Sequence, residues 1–291
     1  MAQQHGSYYV PEYSALPIIG SIGLLLTAVG SLNFNEFWGQ VSTALGVFTL
    51  ITILASWLTS VVRESRAGLY DKQMDRTFRW GMFWFIFCEL NLFFILYFTL
   101  IYVRAYTLPW LAGTGAGGSL LTHYLLWPNF QAQWPLTVNP APSFGGLHVS
   151  PLAWGLPALN TAILLISAVV TTLAAWALKK GRMAGANSGL LVSIILGIAF
   201  LALQFHYCAL VIKDYGLTAG SGIYGSLFFI ILGFHSVHVV IGLILMAVIL
   251  LRSFKQHFTL ASKHFAFEAA VWFWCFITVM WLVNFILMFG F

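Results

Sequence analysis

Residues 222 to 274 read GIYGSLFFIILGFHSVHVVIGLILMAVILLRSFKQHFTLASKHFAFEAAVWFW. Two apolar helical runs are joined here by a short basic turn that carries Arg252, Lys255, His257 and Lys263. The first run holds His235 and His238, three residues apart and so on one helix face. The second opens with His264 and Glu268, four apart and also on one face. Ionisable side chains on hydrocarbon-length helices are costly to place against lipid, so they need partners inside a bundle.

Working outward, the whole chain has the same character. It is 291 residues long, 60% hydrophobic and only 7% charged. Soluble domains carry about 25% charged residues, so this composition points to an all-α polytopic membrane protein. Seven runs meet the length of about 20 apolar residues that a crossing needs. They are Leu16–Leu32, Val41–Val62, Phe78–Val103, Leu156–Leu178, Leu190–Ile212, Tyr224–Leu251 and Ala266–Phe289. Gly20, Gly23 and Gly30 in the first run suggest close packing against a neighbour. The long segment Arg104 to Gly155 is rich in Gly, Pro and Trp, and its apolar piece Leu120–Trp127 is short enough to be interfacial. Residues 1–291 form one membrane domain, and no basic n-region marks a cleavable signal.

Charge orients the spans. Arg63, Arg66, Lys72, Arg76 and Arg79 follow span two; Lys179, Lys180 and Arg182 follow span four; Arg252, Lys255 and Lys263 follow span six. Only Arg104 and Lys213 fall on the opposite side. The positive-inside rule then puts the N-terminus in the cytoplasm or matrix and the C-terminus outside. The net charge of +5 sits in these loops and implies no nucleic acid. Cys88, Cys208 and Cys275 all lie in apolar spans without a Cys-x-x-Cys pattern, and read as small hydrophobes. No Walker loop, dinucleotide fingerprint, nucleophile elbow or H-E-x-x-H occurs, and no internal repeat.

Glu89 lies eleven residues into the third span, about 16 Å along it and near the bilayer midplane. A lone carboxylate at that depth is driven to its neutral form unless a cation stands close. It is either a proton-handling or lipid-gating acid, or a protonated side chain hydrogen-bonded to a neighbouring helix. His235, His238, His264 and Glu268 could together hold a metal or haem, or could form an interhelical polar cluster. His264 and Glu268 open span seven, whereas His235 and His238 sit in mid-span six, and that offset of several turns argues against one four-ligand site. Gln204 and His206, two residues apart, face different directions.

The pattern resembles subunit III of the haem-copper cytochrome c oxidases, through five motifs in order. Trp57 and Arg63-Glu64-Ser65 close span two. Arg79-x-Gly81-Met82-x-x-Phe85-Ile86-x-x-Glu89 opens span three, and Pro157-x-Leu159-Asn160-Thr161 opens span four. Gly222-x-Tyr224-Gly225-Ser226 leads into Gly233-Phe234-His235-x-x-His238-Val239 in span six. Arg252-x-x-Lys255-x-His257-Phe258-Thr259 and His264-Phe265-x-Phe267-Glu268-Ala269-Ala270-x-Trp272-x-Trp274 form the last turn and span seven. The resemblance implies helices in a two-plus-five arrangement, about 16–62 against about 78–289, around a cleft that holds phospholipid.

It also implies a non-catalytic subunit with no metal and no cofactor of its own. Haem a and copper reside in subunits I and II of such an aa3-type complex, which takes electrons from cytochrome c, reduces dioxygen and pumps protons. The family's buried carboxylate falls on Glu89, and its lipid-facing positions fall on Trp57, Arg63, Arg252 and His257. Packing on subunit I, support of proton uptake and protection from inactivation follow as expectations. Seven spans favour the cytochrome c type over quinol-oxidase relatives. The chain departs from the pattern where Cys275 and Thr278 replace a His and an Asp, where Phe205 to Cys208 lack an acid after Gln204, and where Ala174 to Trp176 replace a His pair. The cytoplasmic-side motifs are intact. The long segment 104–155 suggests a bacterial cytoplasmic membrane, with the C-terminus periplasmic. The alternatives are a subunit that itself binds haem or metal, a quinol-oxidase subunit III, and a transporter, which inverted repeats or broken helices would favour.

Overall fold

The computed structural model describes residues 13–114, 120–136, 138–141, 154–255, 258 and 264–289. It is helical, with no strand among those residues. The helices are α1 (Leu16–Leu32), α2 (Phe37–Arg66), α3 (Lys72–Tyr102), α4 (Leu108–Leu111), α5 (Leu120–Leu126), α6 (Leu156–Lys179), α7 (Met183–Tyr215), α8 (Gly222–Phe254) and α9 (Phe265–Phe289). A π-helical turn, Val103–Thr107, links α3 to α4. Among the described residues, six helices are long and apolar enough to cross a membrane, and α1 is a shorter apolar helix. These are the seven expected spans. Several begin earlier than hydropathy alone suggests, because polar first turns such as Lys72–Arg79 continue the helix beyond its apolar stretch.

The chain divides into two compact units, with the boundary between Arg79 and Trp80. In the first unit, α1 and α2 form a hairpin whose backbones nearly touch. A Cβ on Gly30 would lie 2.5 Å from the Thr43 amide nitrogen, and one on Gly46 would lie 2.5 Å from that of Thr27. Such contact between helices is how membrane hairpins gain dispersion energy where lipid supplies no hydrophobic driving force. Ser42 Oγ adds a hydrogen bond across the hairpin to the Leu26 carbonyl, at 3.0 Å.

In the second unit, α6 and α7 are stitched by reciprocal bonds: Ser167 Oγ donates to the Ser193 carbonyl and Ser193 Oγ to that of Ser167, at 3.0 and 3.2 Å. Trp274 of α9 is fully buried and donates its indole N–H to Ser167 Oγ at 3.0 Å. Gly197 of α7 and Gly242 of α8 make room for that ring, since a Cβ at either would come within 2.8 Å of it. About two turns further along α9, the Trp281 indole donates to Thr161 Oγ1 of α6 at 2.9 Å. Two tryptophans therefore tie α9 to α6 through the polar end of a large apolar side chain.

Between α5 and α6, Trp134 and Asn139 pack on the start of α8. Trp134 meets Tyr224 edge-on at 5.0 Å, the Arg104 guanidinium lies 5.7 Å from the Trp134 ring, and Asn139 Nδ2 donates to the Ser221 carbonyl. Gly222 follows with φ +84°, a left-handed conformation in which a Cβ would also collide with the Asn139 amide.

Gly242→Val should lower stability by about 1–3 kcal/mol by overpacking Trp274. Gly233→Ala, nine residues earlier where a Cβ meets nothing within 4 Å, should be neutral or gain up to about 1 kcal/mol of helix propensity. Thermal unfolding of the two variants in mild detergent checks the contrast.

Candidate functional site

Glu89 stands near the middle of α3, and His238 is the central residue of α8. Their side chains meet, with Glu89 Oε2 2.8 Å from His238 Nε2. The contact is mostly enclosed: the carboxylate side chain is 17% exposed and the imidazole 7%. Aromatic rings build the enclosure. Phe93, one turn beyond Glu89, is fully buried and packs on Phe234 at 4.9 Å, His238 at 5.1 Å and Phe276 at 6.0 Å. Phe234 covers His238 from within α8, at 4.5 Å. Phe273 of α9 lies 6.3 Å from the same imidazole. One turn beyond Phe93, Tyr97 donates its hydroxyl to the Met280 carbonyl at 3.0 Å. Large side chains thus carry α3 onto α8 and α9 and deliver Glu89 to its partner.

The proton count of the pair follows from its second contact. His238 Nδ1 lies 2.8 Å from the Phe234 carbonyl, which can only accept, so Nδ1 carries a hydrogen. The remaining nitrogen and the carboxylate then share one proton. The pair is either imidazolium with carboxylate or neutral imidazole with carboxylic acid, and its net charge is zero in both forms. That neutrality makes the pair tolerable at mid-helix, where a lone charge is not. The unit can pass its proton between two atoms without changing its charge.

The other expected polar residues have different partners. His235 is fully buried, with Nε2 donating to the Ile277 carbonyl of α9 at 3.0 Å, so it joins α8 to α9 beside Trp281 and Phe200. Glu268, in the first turn of α9, pairs with Lys179 at the end of α6 at 3.0 Å. His264 precedes α9 by one residue. Burial pushes the His264 ring below its ordinary pKa, partly opposed by Glu268 and reinforced by Lys179. The four residues are therefore held at two levels, His235 and His238 in mid-helix and His264 and Glu268 at the start of α9. No group of three or more His, Cys, Asp or Glu suited to a metal occurs among the described residues. Both nitrogens of His238 are already committed.

Among the expected lipid positions, Trp57 is 54% exposed on α2. Arg63 ends a polar strip of the same helix, Thr52, Ser56, Thr59 and Ser60, which lines an open groove of about 530 Å³. Arg252 is half-buried, with its guanidinium 5.0 Å from the Phe258 ring and its Nε unpaired among the described residues. His257 lies outside the described residues. Reading the sequence alone overlooks Phe93. Aromatic residues recur so densely along α3 that nothing in their spacing separates Phe93 and Tyr97, which enter the bundle, from those that remain exposed.

His238→Phe leaves the mostly enclosed Glu89 side chain without its imidazole partner and should destabilise the chain by about 3–5 kcal/mol. Glu89→Gln keeps a hydrogen bond to Nε2 and should cost about 1 kcal/mol. Thermal unfolding of both variants measures the gap. For His264, the unfolded ring binds protons near its ordinary pKa of 6.5 and the folded ring only at lower pH. Stability is then greatest above pH 6.5 and falls as the pH drops below it. His264→Asn should remove that part of the acid sensitivity in a pH series of melts.

Comparison with known proteins identifies the lineage. The family model described as Cytochrome c oxidase subunit III matches residues 5–110 and 123–291. The chain is 35% identical over 284 residues to cytochrome c oxidase subunit 3 of Struthio camelus, covering 97% of this chain and 96% of that one. It is 32% identical over 287 residues to that of Formosania lacustris, covering 98% and 97%. With the subunit 3 of Coturnix japonica it shares 33% identity over 290 residues, covering 99% and 98%. An all-helical membrane architecture and near-complete matches at these identities lead to one conclusion: the chain belongs to the cytochrome c oxidase subunit III family.

Proposed function

We propose that the chain is the non-catalytic third subunit of an aa3-type terminal oxidase, in which it packs on subunit I and supports proton uptake and the working lifetime of the complex. Haem a and copper sit in subunits I and II, cytochrome c is the electron donor, and this chain supplies no redox ligand. The observation that carries the reading is the Glu89–His238 pair, a net-neutral proton-holding unit at mid-helix. A unit that holds one proton between two atoms is suited to relay, in which a proton gained at one group is matched by one released from the other, and is poorly suited to ligating a metal.

Phospholipid is the second partner. Support comes from the polar strip on α2 that ends at Arg63, from the exposed Trp57, and from Arg252 near the end of α8. An arginine at the water end of a hydroxyl-lined helix face matches a lipid phosphate with its glycerol below. The basic ends of α2, α6 and α8 lie on the cytoplasmic side of a bacterial cytoplasmic membrane, with the C-terminus periplasmic; the charge asymmetry and the long segment 104–155 support this.

The test uses the whole oxidase. Glu89→Gln should leave assembly and the initial rate of oxygen consumption near wild type, while activity decays faster over repeated turnovers. An unchanged lifetime and unchanged proton uptake would reduce Glu89 to a packing residue. Washing the complex with a harsher detergent should release this chain without a Soret band, and a haem that stays with it would overturn the non-catalytic assignment.

A further inference from the structure

The contacts of α9 set a register for the bundle it forms with α6, α7 and α8. Trp281 meets Thr161 of α6, Phe200 of α7 and His235 of α8. Two turns later, Phe289 meets Tyr207 of α7 and Phe228 of α8. Helix α6 runs opposite to α9, since Trp274 bonds Ser167 and Trp281 bonds Thr161. Asn284 therefore falls level with Asn160 of α6, Gln204 of α7 and Ile231 of α8.

Three carboxamides thus share one layer, and all are buried: Asn284 is fully enclosed, and Asn160 and Gln204 are each 2% exposed. Only one good hydrogen bond joins them, from Asn160 Nδ2 to Gln204 Oε1 at 3.1 Å. Among the described residues, Gln204 Nε2 reaches only the Cys208 sulfur, at 3.9 Å. Asn160 Oδ1 and both amide atoms of Asn284 have no partner among the described residues. Tyr207, one turn along α7 from Gln204, also has a hydroxyl with no partner among the described residues. The walls are apolar, with Leu164, Phe200, Phe228 and Ile231 all fully buried.

We infer that Asn160, Gln204 and Asn284 form a buried water-binding site between α6, α7 and α9. Buried amide groups are rarely left unpaired, and hydrocarbon offers them nothing. Two of the unpaired atoms are carbonyl oxygens on different helices, so the ligand must donate two hydrogens. The third is an amide nitrogen, so the ligand must also accept one. Water does both, and internal waters typically make about three such bonds. The layer carries no formal charge to hold an ion. The site is separate from the Glu89–His238 pair, which joins α3 to α8, and it does not depend on the proton-holding role proposed for that pair.

X-ray radiolysis of the purified oxidase tests this, because hydroxyl radicals arise at bound water and label the side chains beside it. Trp281 and Met288, each one turn from Asn284, should be oxidised despite their burial. Trp274 and Met246, equally buried in layers whose polar atoms are paired or absent, should not be. Asn284→Leu removes both of its unpaired atoms and should lower the labelling of Met288 and Trp281. Equal labelling of Trp281 and Trp274 in the wild type would overturn the inference. If Asn284→Leu does not assemble, a wild-type density map resolving ordered waters decides. Density bridging Asn284 and Asn160 supports the site, and a direct Asn284–Asn160 hydrogen bond refutes it.

Discussion

Hydrocarbon offers no hydrogen-bond partner, so a polar side chain within these helices must be answered by a carbonyl of its own helix, by another helix or by a ligand it encloses. Glu89 is answered by His238, and the Trp274 and Trp281 indoles by Ser167 and Thr161. His235 is answered by the Ile277 carbonyl. Each of these bonds links two different helices. In the second unit the polar groups therefore act as register marks. They carry little of the buried area, yet each fixes which turn of one helix lies against which turn of the next.

Packing depends on the same marks. Trp274 can reach Ser167 only because Gly197 and Gly242 leave its ring room, and α7 and α8 approach α9 closely at that level. The α1–α2 hairpin uses glycines differently, bringing backbone against backbone with threonine hydroxyls bonded within their own helices. Helix α3 follows a third arrangement, attached through Phe93 and Tyr97 at side-chain length. A helix held by rings and one ionisable pair depends heavily on that pair, so Glu89 is a structural anchor.

Much of this was legible from residue order alone. Seven apolar runs, one-sided Lys and Arg, and the histidines and glutamate among hydrophobes defined a membrane bundle with buried chemistry. The offset between His235–His238 and His264–Glu268 was also legible, because helix rise converts sequence separation directly into depth. The identity of each partner was not. Glu89 and His238 are 149 residues apart, and periodicity records only which residues share a face of one helix. The aromatic density of α3 hid Phe93 for the same reason, since exposed and inserted rings look alike in a run of phenylalanines.

Asn284 marks the division most sharply. In the sequence it is one polar residue near the end of an apolar run, where an interfacial position would be unremarkable. Its complete burial, level with Asn160 and Gln204, comes from the way Trp281 docks on α6 and Phe289 on Tyr207 and Phe228. The sequence by itself determined the span count, the charge asymmetry and the family, because these rest on local composition and ordered motifs. Only the tertiary structure decided which polar groups meet, because pairing depends on the rotation and depth of each helix, and these are set by packing between segments far apart in the chain.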